Sequence, residues 1–356
     1  AAGPELRTES GAPARHGSVD RRALIVAVAL AAGCGASIER PRDAIVLSRG
    51  ALGYAAAIGE QLVFSAELRT RFELVAYELD SGKERWRRDL GPADYDQAAV
   101  AVGRHRVWVA STDGVVRSFQ RLTGKEGPAW ALGASATSLA ITDDRRLLLT
   151  ATNTGVLCVR RVGSGALLQC LAASTGALTA IATRGDRIVT AASDGTVAIW
   201  SLPTLAAIAR TRVSGAANAV ALGPDGQVAI ARGPGPLRRT PAIARREQRR
   251  GYPSVDREQA IVVWVPERSE QRVLVGHRGP ITDLLWLDAD TLLSSSWDRS
   301  VRRWSLSRRE SREVGRFPYL VRSLAGHSQH WVASIWARKP AATSAELHVH
   351  RAPRSD

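Results

Sequence analysis

The chain has 356 residues, of which 45% are apolar, and a formal charge of +15 from 49 Lys and Arg against 34 Asp and Glu. That length would hold two ordinary domains, and the apolar fraction supports a packed core. Only Lys83, Lys125 and Lys339 are lysines, so 46 of the 49 basic residues are arginine; a bias this general says nothing about partners until the positions of the charges are considered.

Near the amino terminus, Arg21 and Arg22 precede an apolar run from Ala23 to Ala32, and Gly33-Cys34-Gly35 follows directly. A basic flank, about 7–15 apolar residues and small residues before a cut describe a secretory signal, and so short a run cannot span a bilayer. Because a cysteine follows at once, the segment resembles a bacterial lipoprotein signal. The resemblance implies that residues 1–33 are removed, that Cys34 is acylated and that 34–43 form a tether to a periplasmic or outer-membrane surface. Ala31 stands where such signals usually have Leu, and Glu5, Glu9 and Asp20 lie before the arginine pair. A cytoplasmic tail or interdomain linker is the competing reading.

From residue 44 to the end, short apolar runs alternate with turn chemistry. Turns stand at Gly59-Glu60, Gly103-Arg104, Asp143-Asp144, Gly185-Asp186, Pro224-Asp225-Gly226, Asp288-Ala289-Asp290 and Ser328-Gln329. One position recurs after each, filled by Tyr77, Phe119, Arg160, Trp200, Trp264, Trp304 and His350 at spacings of 42, 41, 40, 64, 40 and 46. The 64 reads as a 40 carrying an insert of about 24 residues. Self-similarity at this period between β-rich runs predicts stacked repeat units, and the resemblance of one of them, residues 276–304, to a WD-repeat blade implies four strands in each. Seven such units make an all-β, seven-bladed β-propeller over 44–356. The run Ala44-Ile45-Val46-Leu47 would supply the missing outer strand of the last blade over about 44–49, removing two open sheet edges. A leader at 40–50 and rings of six or eight blades are the alternatives.

Along the ring, residues 76–86, AYELDSGKERW, resemble the blade tail of quinoprotein-type propellers, and Thr123-Gly124-Lys125 with Trp130 is a looser copy. That resemblance implies that Trp86 docks one blade on the next. Cys158 and Cys170 flank the Gly163-Ser164-Gly165 turn symmetrically, which places them opposite each other in a hairpin. Export would permit a disulfide there; otherwise they are two small residues in a sheet. The insert spans 232–258 and holds eight arginines against Glu247, Asp256 and Glu258. Its prolines and glycines argue against a regular element. Arg238, Arg239, Arg245, Arg246, Arg249 and Arg250 make it a candidate arm for an acidic protein surface, anionic lipid head groups or a phosphate backbone, set against a tolerated surface insertion.

Residues 276–304, GHRGPITDLLWLDADTLLSSSWDRSVRRW, resemble a nearly complete WD-repeat blade. The family match implies a polar chain in which His277 and the Trp304 indole bracket Ser294 and Asp298. Residues 178–200 match in part through Thr190, Asp194 and Trp200, with Ala173 where the histidine belongs. Gly326-His327 looks like another repeat opening but aligns with the turn between two strands, and Arg184-Gly185-Asp186 occupies the same turn in its own unit.

Catalytic signatures are missing from the sequence. Gly82-Lys83 and Gly124-Lys125 are each followed by Glu instead of Ser or Thr, so neither is a phosphate loop. There is no nucleophile elbow, Cys-x-x-Cys or His-Glu-x-x-His. His348 and His350 share a strand face and with His327 or His330 would offer a metal set, yet His350 fills a core aromatic position and the other two sit on a turn. The expectation is a non-enzymatic, monomeric ring without cofactor or metal, which binds proteins with acidic surfaces and sits on a membrane through its lipid. Export would remove nucleic acid from its partners. An envelope-assembly lipoprotein and a cytoplasmic WD-repeat scaffold or signalling sensor are the rival functions.

Overall fold

The computed structural model describes residues 45–46, 52–92, 98–233, 251–252, 254–327, 330–336 and 347–351. The leader, the tether and the arginine segment 234–250 lie outside the described residues. So do Cys34 and all six candidate arginines of the insert.

The described strands run β1 (Ile45–Val46), β2 (Leu52–Ile58), β3 (Leu62–Leu68), β4 (Phe72–Glu78), β5 (Glu84–Gly91), β6 (Ala98–Val102), β7 (Arg106–Ser111), β8 (Val115–Gln120) and β9 (Trp130–Ala131). They continue with β10 (Ala136–Ile141), β11 (Leu147–Thr152), β12 (Val156–Arg161), β13 (Leu167–Ala172), β14 (Leu178–Arg184), β15 (Arg187–Ala192), β16 (Thr196–Ser201) and β17 (Ala207–Arg212). The last are β18 (Ala216–Leu222), β19 (Val228–Gly233), β20 (Ala260–Val265), β21 (Glu270–Leu274), β22 (Ile281–Trp286), β23 (Thr291–Ser296), β24 (Ser300–Ser305), β25 (Glu310–Arg316), β26 (Leu320–His327), β27 (His330–Trp336) and β28 (Leu347–Arg351).

These strands make four-stranded antiparallel sheets β2–β5, β6–β9, β10–β13, β14–β17, β18–β21 and β22–β25, and a seventh sheet ordered β1-β28-β27-β26. In the last, Ile45 pairs with Val349 and Val46 with His348, so a strand that precedes the first blade completes the last one. The first strands of successive sheets pack side by side around an axis, β2 against β6, β6 against β10 and onward to β26, which returns to β2. The fold is an all-β propeller.

Burial explains the strand sequences. Inner strands are covered by neighbouring blades on both faces, so β3 (LVFSAEL) is buried throughout and β20 (AIVVWV) nearly so. Outer strands face solvent, and β13, β17 and β21 are mostly exposed. Each apolar cluster spans a seam between blades: Leu149 and Leu157 meet Ile188 and Trp200 across one, while Ile261 and Val263 meet Leu284 and Trp304 across another. Blades converge at the axis, which suits the alanine-rich first strands β6 and β18. There Gly53 is closely approached, since a Cβ on it would lie 3.2 Å from Ser334 Cβ. Six first strands carry a register shift, as between Ala217 and Ala219 or Ile281 and Asp283, the extra residue bending the strand.

The connections sort by face. Links between the second and third strands, and from one blade to the next, lie on what we call the upper face; the remaining hairpins form the lower face. Gly326 and His327 end β26, pairing with Trp331 and His330, rather than sitting within a turn; the expected turn Ser328-Gln329 lies outside the described residues.

Candidate interaction face

The upper face of the blade β22–β25 is braced by a chain of side chains from separate segments. His277 lies in the loop entering β22, Ser294 on β23, Asp298 in the turn to β24 and Trp304 on β24. The Trp304 indole N–H donates to Ser294 Oγ at 2.7 Å, Ser294 Oγ meets His277 Nε2 at 2.7 Å, and His277 Nδ1 meets Asp298 Oδ2 at 2.8 Å. Asp298 also accepts the backbone N–H of Arg278 at 2.8 Å and the Ser300 hydroxyl at 2.6 Å. His277 and Ser294 are fully buried, so each polar atom needs such a partner. Burial by itself would raise the Asp298 carboxyl; the hydrogen bond and charge of His277, with Ser300 and the Arg278 N–H, outweigh it and hold the group well below the usual carboxylate range. The turn is tight. Arg299 adopts the left-handed conformation, φ 73°, taken by Gly114, Gly155 and Gly195 in other blades.

The chain is partial in the blade β14–β17. The Trp200 indole donates to Thr190 Oγ1 at 3.0 Å, but Ala173 is buried where a histidine would bridge to Asp194. Asp194 instead accepts hydroxyls from Ser174 at 3.2 Å and Thr175 at 3.4 Å and the Thr196 N–H at 2.9 Å. The two halves are each satisfied and no longer joined. A third version went unread in the sequence: the Tyr77 hydroxyl donates to buried Glu67 at 3.1 Å. The pairs 304/294, 200/190 and 77/67 share a ten-residue offset, the signal that would have found it.

This bracing reaches the insert. Its carboxyl stem is tied down where the Asp256 N–H donates to His277 C=O at 3.1 Å. Tyr252 packs on Gly279, where a Cβ would stand 3.0 Å from its ring. At the amino stem, Arg232 Nη1 donates to Ser214 Oγ and Nη2 to Arg257 C=O at 3.3 Å. Arg257 and Arg278 are exposed beside these stems. The stems on either side of 234–250 thus lie on the upper face, the carboxyl stem against the blade that carries the complete polar chain and the amino stem against Ser214 in the link before β18.

Other expected residues lie elsewhere. Cys158 and Cys170 are directly paired on β12 and β13 and form a disulfide on the outer rim. Trp86 serves packing: it lies in the core between Phe64 and Phe119, and its indole donates to Arg121 C=O at 2.9 Å. Arg160, at the aromatic position of its blade, stacks over Trp130 at 5.2 Å. Among the described residues no group of three His, Cys, Asp or Glu is placed to hold a metal, and no helix is long and apolar enough to cross a membrane. The side chains of His327, His330, His348 and His350 lie outside the described residues.

The family model described as "WD domain, G-beta repeat" matches residues 165–201 and 268–305. Each matched unit takes the outer strand of one blade and the three inner strands of the next, so adjacent blades are interlocked by the chain. Two solved structures are similar over 88% of this chain and 99% of their own. "Structure of U3-55K" superposes with a TM-score of 0.70 at 12% identity, and "Crystal structure of RRP9 WD40 repeats" with 0.69 at 13%. No curated protein matches the sequence. The repeat matches and the structural neighbours together support a WD-repeat β-propeller.

Proposed function

We propose that this chain is a non-enzymatic interaction platform whose upper face, extended by the arginine-bearing insert, docks a protein partner with an acidic surface. The observation that carries this reading is the anchoring of both insert stems on the upper face, the carboxyl stem against the braced blade and the amino stem against the link that enters β18. Asp256 holds to His277, Arg232 to Ser214 and to Arg257. A rigid ring with a net-positive arm on one face steers acidic partners and positions them. The reading extends to a lipid tether at Cys34 on a bacterial envelope membrane, supported by the order of basic flank, apolar run and cysteine over 21–35. Several acyl chains at about 0.8 kcal/mol per buried CH₂ would make release negligible.

Affinity capture from the native cell tests the platform. Replacing Arg238, Arg239, Arg245, Arg246, Arg249 and Arg250 by Ser should leave the unfolding midpoint unchanged and remove partners that the wild type releases as salt rises. An unchanged set of partners would eliminate the arm. Intact-mass analysis after expression in a bacterium with a complete lipoprotein pathway tests the tether: a chain beginning at acylated Cys34 is expected, and an unprocessed soluble chain would overturn it.

A further inference from the structure

At the opposite end of the insert-bearing blade, on the lower outer edge of its seam with the next blade, lies a crevice of about 710 Å³. Its size falls within the roughly 300–1,000 Å³ typical of ligand pockets. The register explains why the space is there. In the first blade Trp86 pairs with Ala76, one residue before Tyr77, and fills the seam while its indole donates to Arg121 C=O, two residues past Phe119. In the insert-bearing blade the same position belongs to Arg272, which pairs with Val263, one residue before Trp264. Its Nη1 makes the matching bond, to Leu306 C=O at 2.8 Å, two residues past Trp304. A thin guanidinium keeps the docking hydrogen bond but lacks the bulk of an indole, and the seam stays open.

The lining is suited to a cation with an apolar stem. Val263, Val265 and Leu306 supply the apolar wall, and Asp225, Glu267 and Glu270 bring three carboxylates against Arg268 and Arg272. Arg187 engages Glu267 at 3.0 Å, and Arg272 is held by Leu306. The decisive group is Gln227, 6% exposed. Its Nε2 donates to Ala289 C=O at 3.0 Å, while its Oε1 is buried with no hydrogen-bond partner. A buried acceptor left unmatched is costly unless a donor arrives. We infer that this crevice binds an arginine side chain of a protein partner: the stem lies on the valines, and the guanidinium N–H groups serve the carboxylate rim and, once the Gln227 amide turns toward the crevice, its Oε1. Arginine is favoured because its planar, weakly hydrated fork serves several acceptors at once. This site is separate from the upper face.

Titration of the isotope-labelled full chain with acetyl-arginine methylamide, observed through the Gln227 side-chain NH₂ resonance, tests the inference. Saturable shifts are expected. The neutral citrulline analogue should bind at least about tenfold more weakly, the equivalent of about 1.4 kcal/mol for a charge-assisted contact. Arg272→Trp, which restores the indole seen at Trp86, should retain the fold and abolish the shifts; Glu270→Gln should weaken binding severalfold. Absence of saturable shifts, equal binding of citrulline, or full binding by Arg272→Trp at an unchanged unfolding midpoint would each overturn it. Should Arg272→Trp fail to fold, the Glu270→Gln and citrulline comparisons decide the question.

Discussion

Trp304→Ala is the sharpest test of how the braced blade is held. The indole is 4% exposed and packs in the seam cluster with Ile261, Val263 and Leu284. It also lies against Gly276, whose hypothetical Cβ would stand 3.0 Å from the ring, and donates to Ser294 Oγ. Truncating a buried aromatic costs about 3–5 kcal/mol through lost transfer free energy and the cavity left behind. Trp304→Phe keeps a ring and removes the N–H, so it should lose only about 1–2 kcal/mol, near the net worth of one buried hydrogen bond plus a smaller packing defect. Trp264→Phe is the control, because Ile230 stands in its blade where Ser294 stands here: Val228 pairs with Trp264 as Leu292 pairs with Trp304. Urea unfolding, read as a midpoint shift at constant slope, measures all three. A loss below about 1 kcal/mol for Trp304→Ala would refute the bracing argument, as would equal losses for the Phe and Ala variants.

Asp298 sets a pH dependence. Its folded carboxyl is depressed, so the stabilisation is complete above the unfolded value near 4 and is lost as the pH falls from about 4 toward the folded value; unfolding midpoints between pH 7 and pH 3 should fall more steeply in the wild type than in Asp298→Asn, and parallel curves would contradict this. Reduction of Cys158–Cys170 opens a link between residues 12 apart and should cost about 2–4 kcal/mol, measured by urea midpoints with and without reductant. Thiol labelling of the denatured full chain, made without lipidation so that Cys34 keeps its thiol, should find one reactive cysteine before reduction and all three after it; three beforehand would exclude the bridge.

How far the structure was legible depended on how local each signal is. The third-strand ladder and the hairpin turns are local, and Tyr77, Phe119, Arg160, Trp200, Trp264, Trp304 and His350 all fall on third strands. The contacts among His277, Ser294, Asp298 and Trp304 were readable because the repeat fixes their spacing. So was the pairing of Cys158 with Cys170, since a short hairpin sets its own register. Features made between blades were not readable. Arg272 looks like an ordinary exposed strand residue until register places it where Trp86 stands in another blade. Glu67 looks like a surface acid until the Tyr77 hydroxyl reaches it. The first-strand bulges leave no mark in composition either, because they answer to crowding at the axis.

Site-specific photo-crosslinking tests the proposed platform most directly. A photoreactive residue would be placed at the exposed upper-face positions Ser214, Arg257 and Arg278, and in parallel at the exposed lower-face positions Arg104, Lys125 and Asp288. Captured protein partners should crosslink from the upper positions, these crosslinks should fade with added salt, and the lower positions should stay silent toward the same partners. Crosslinks to those partners from the lower positions alone, or equally from both faces, would contradict the proposed platform.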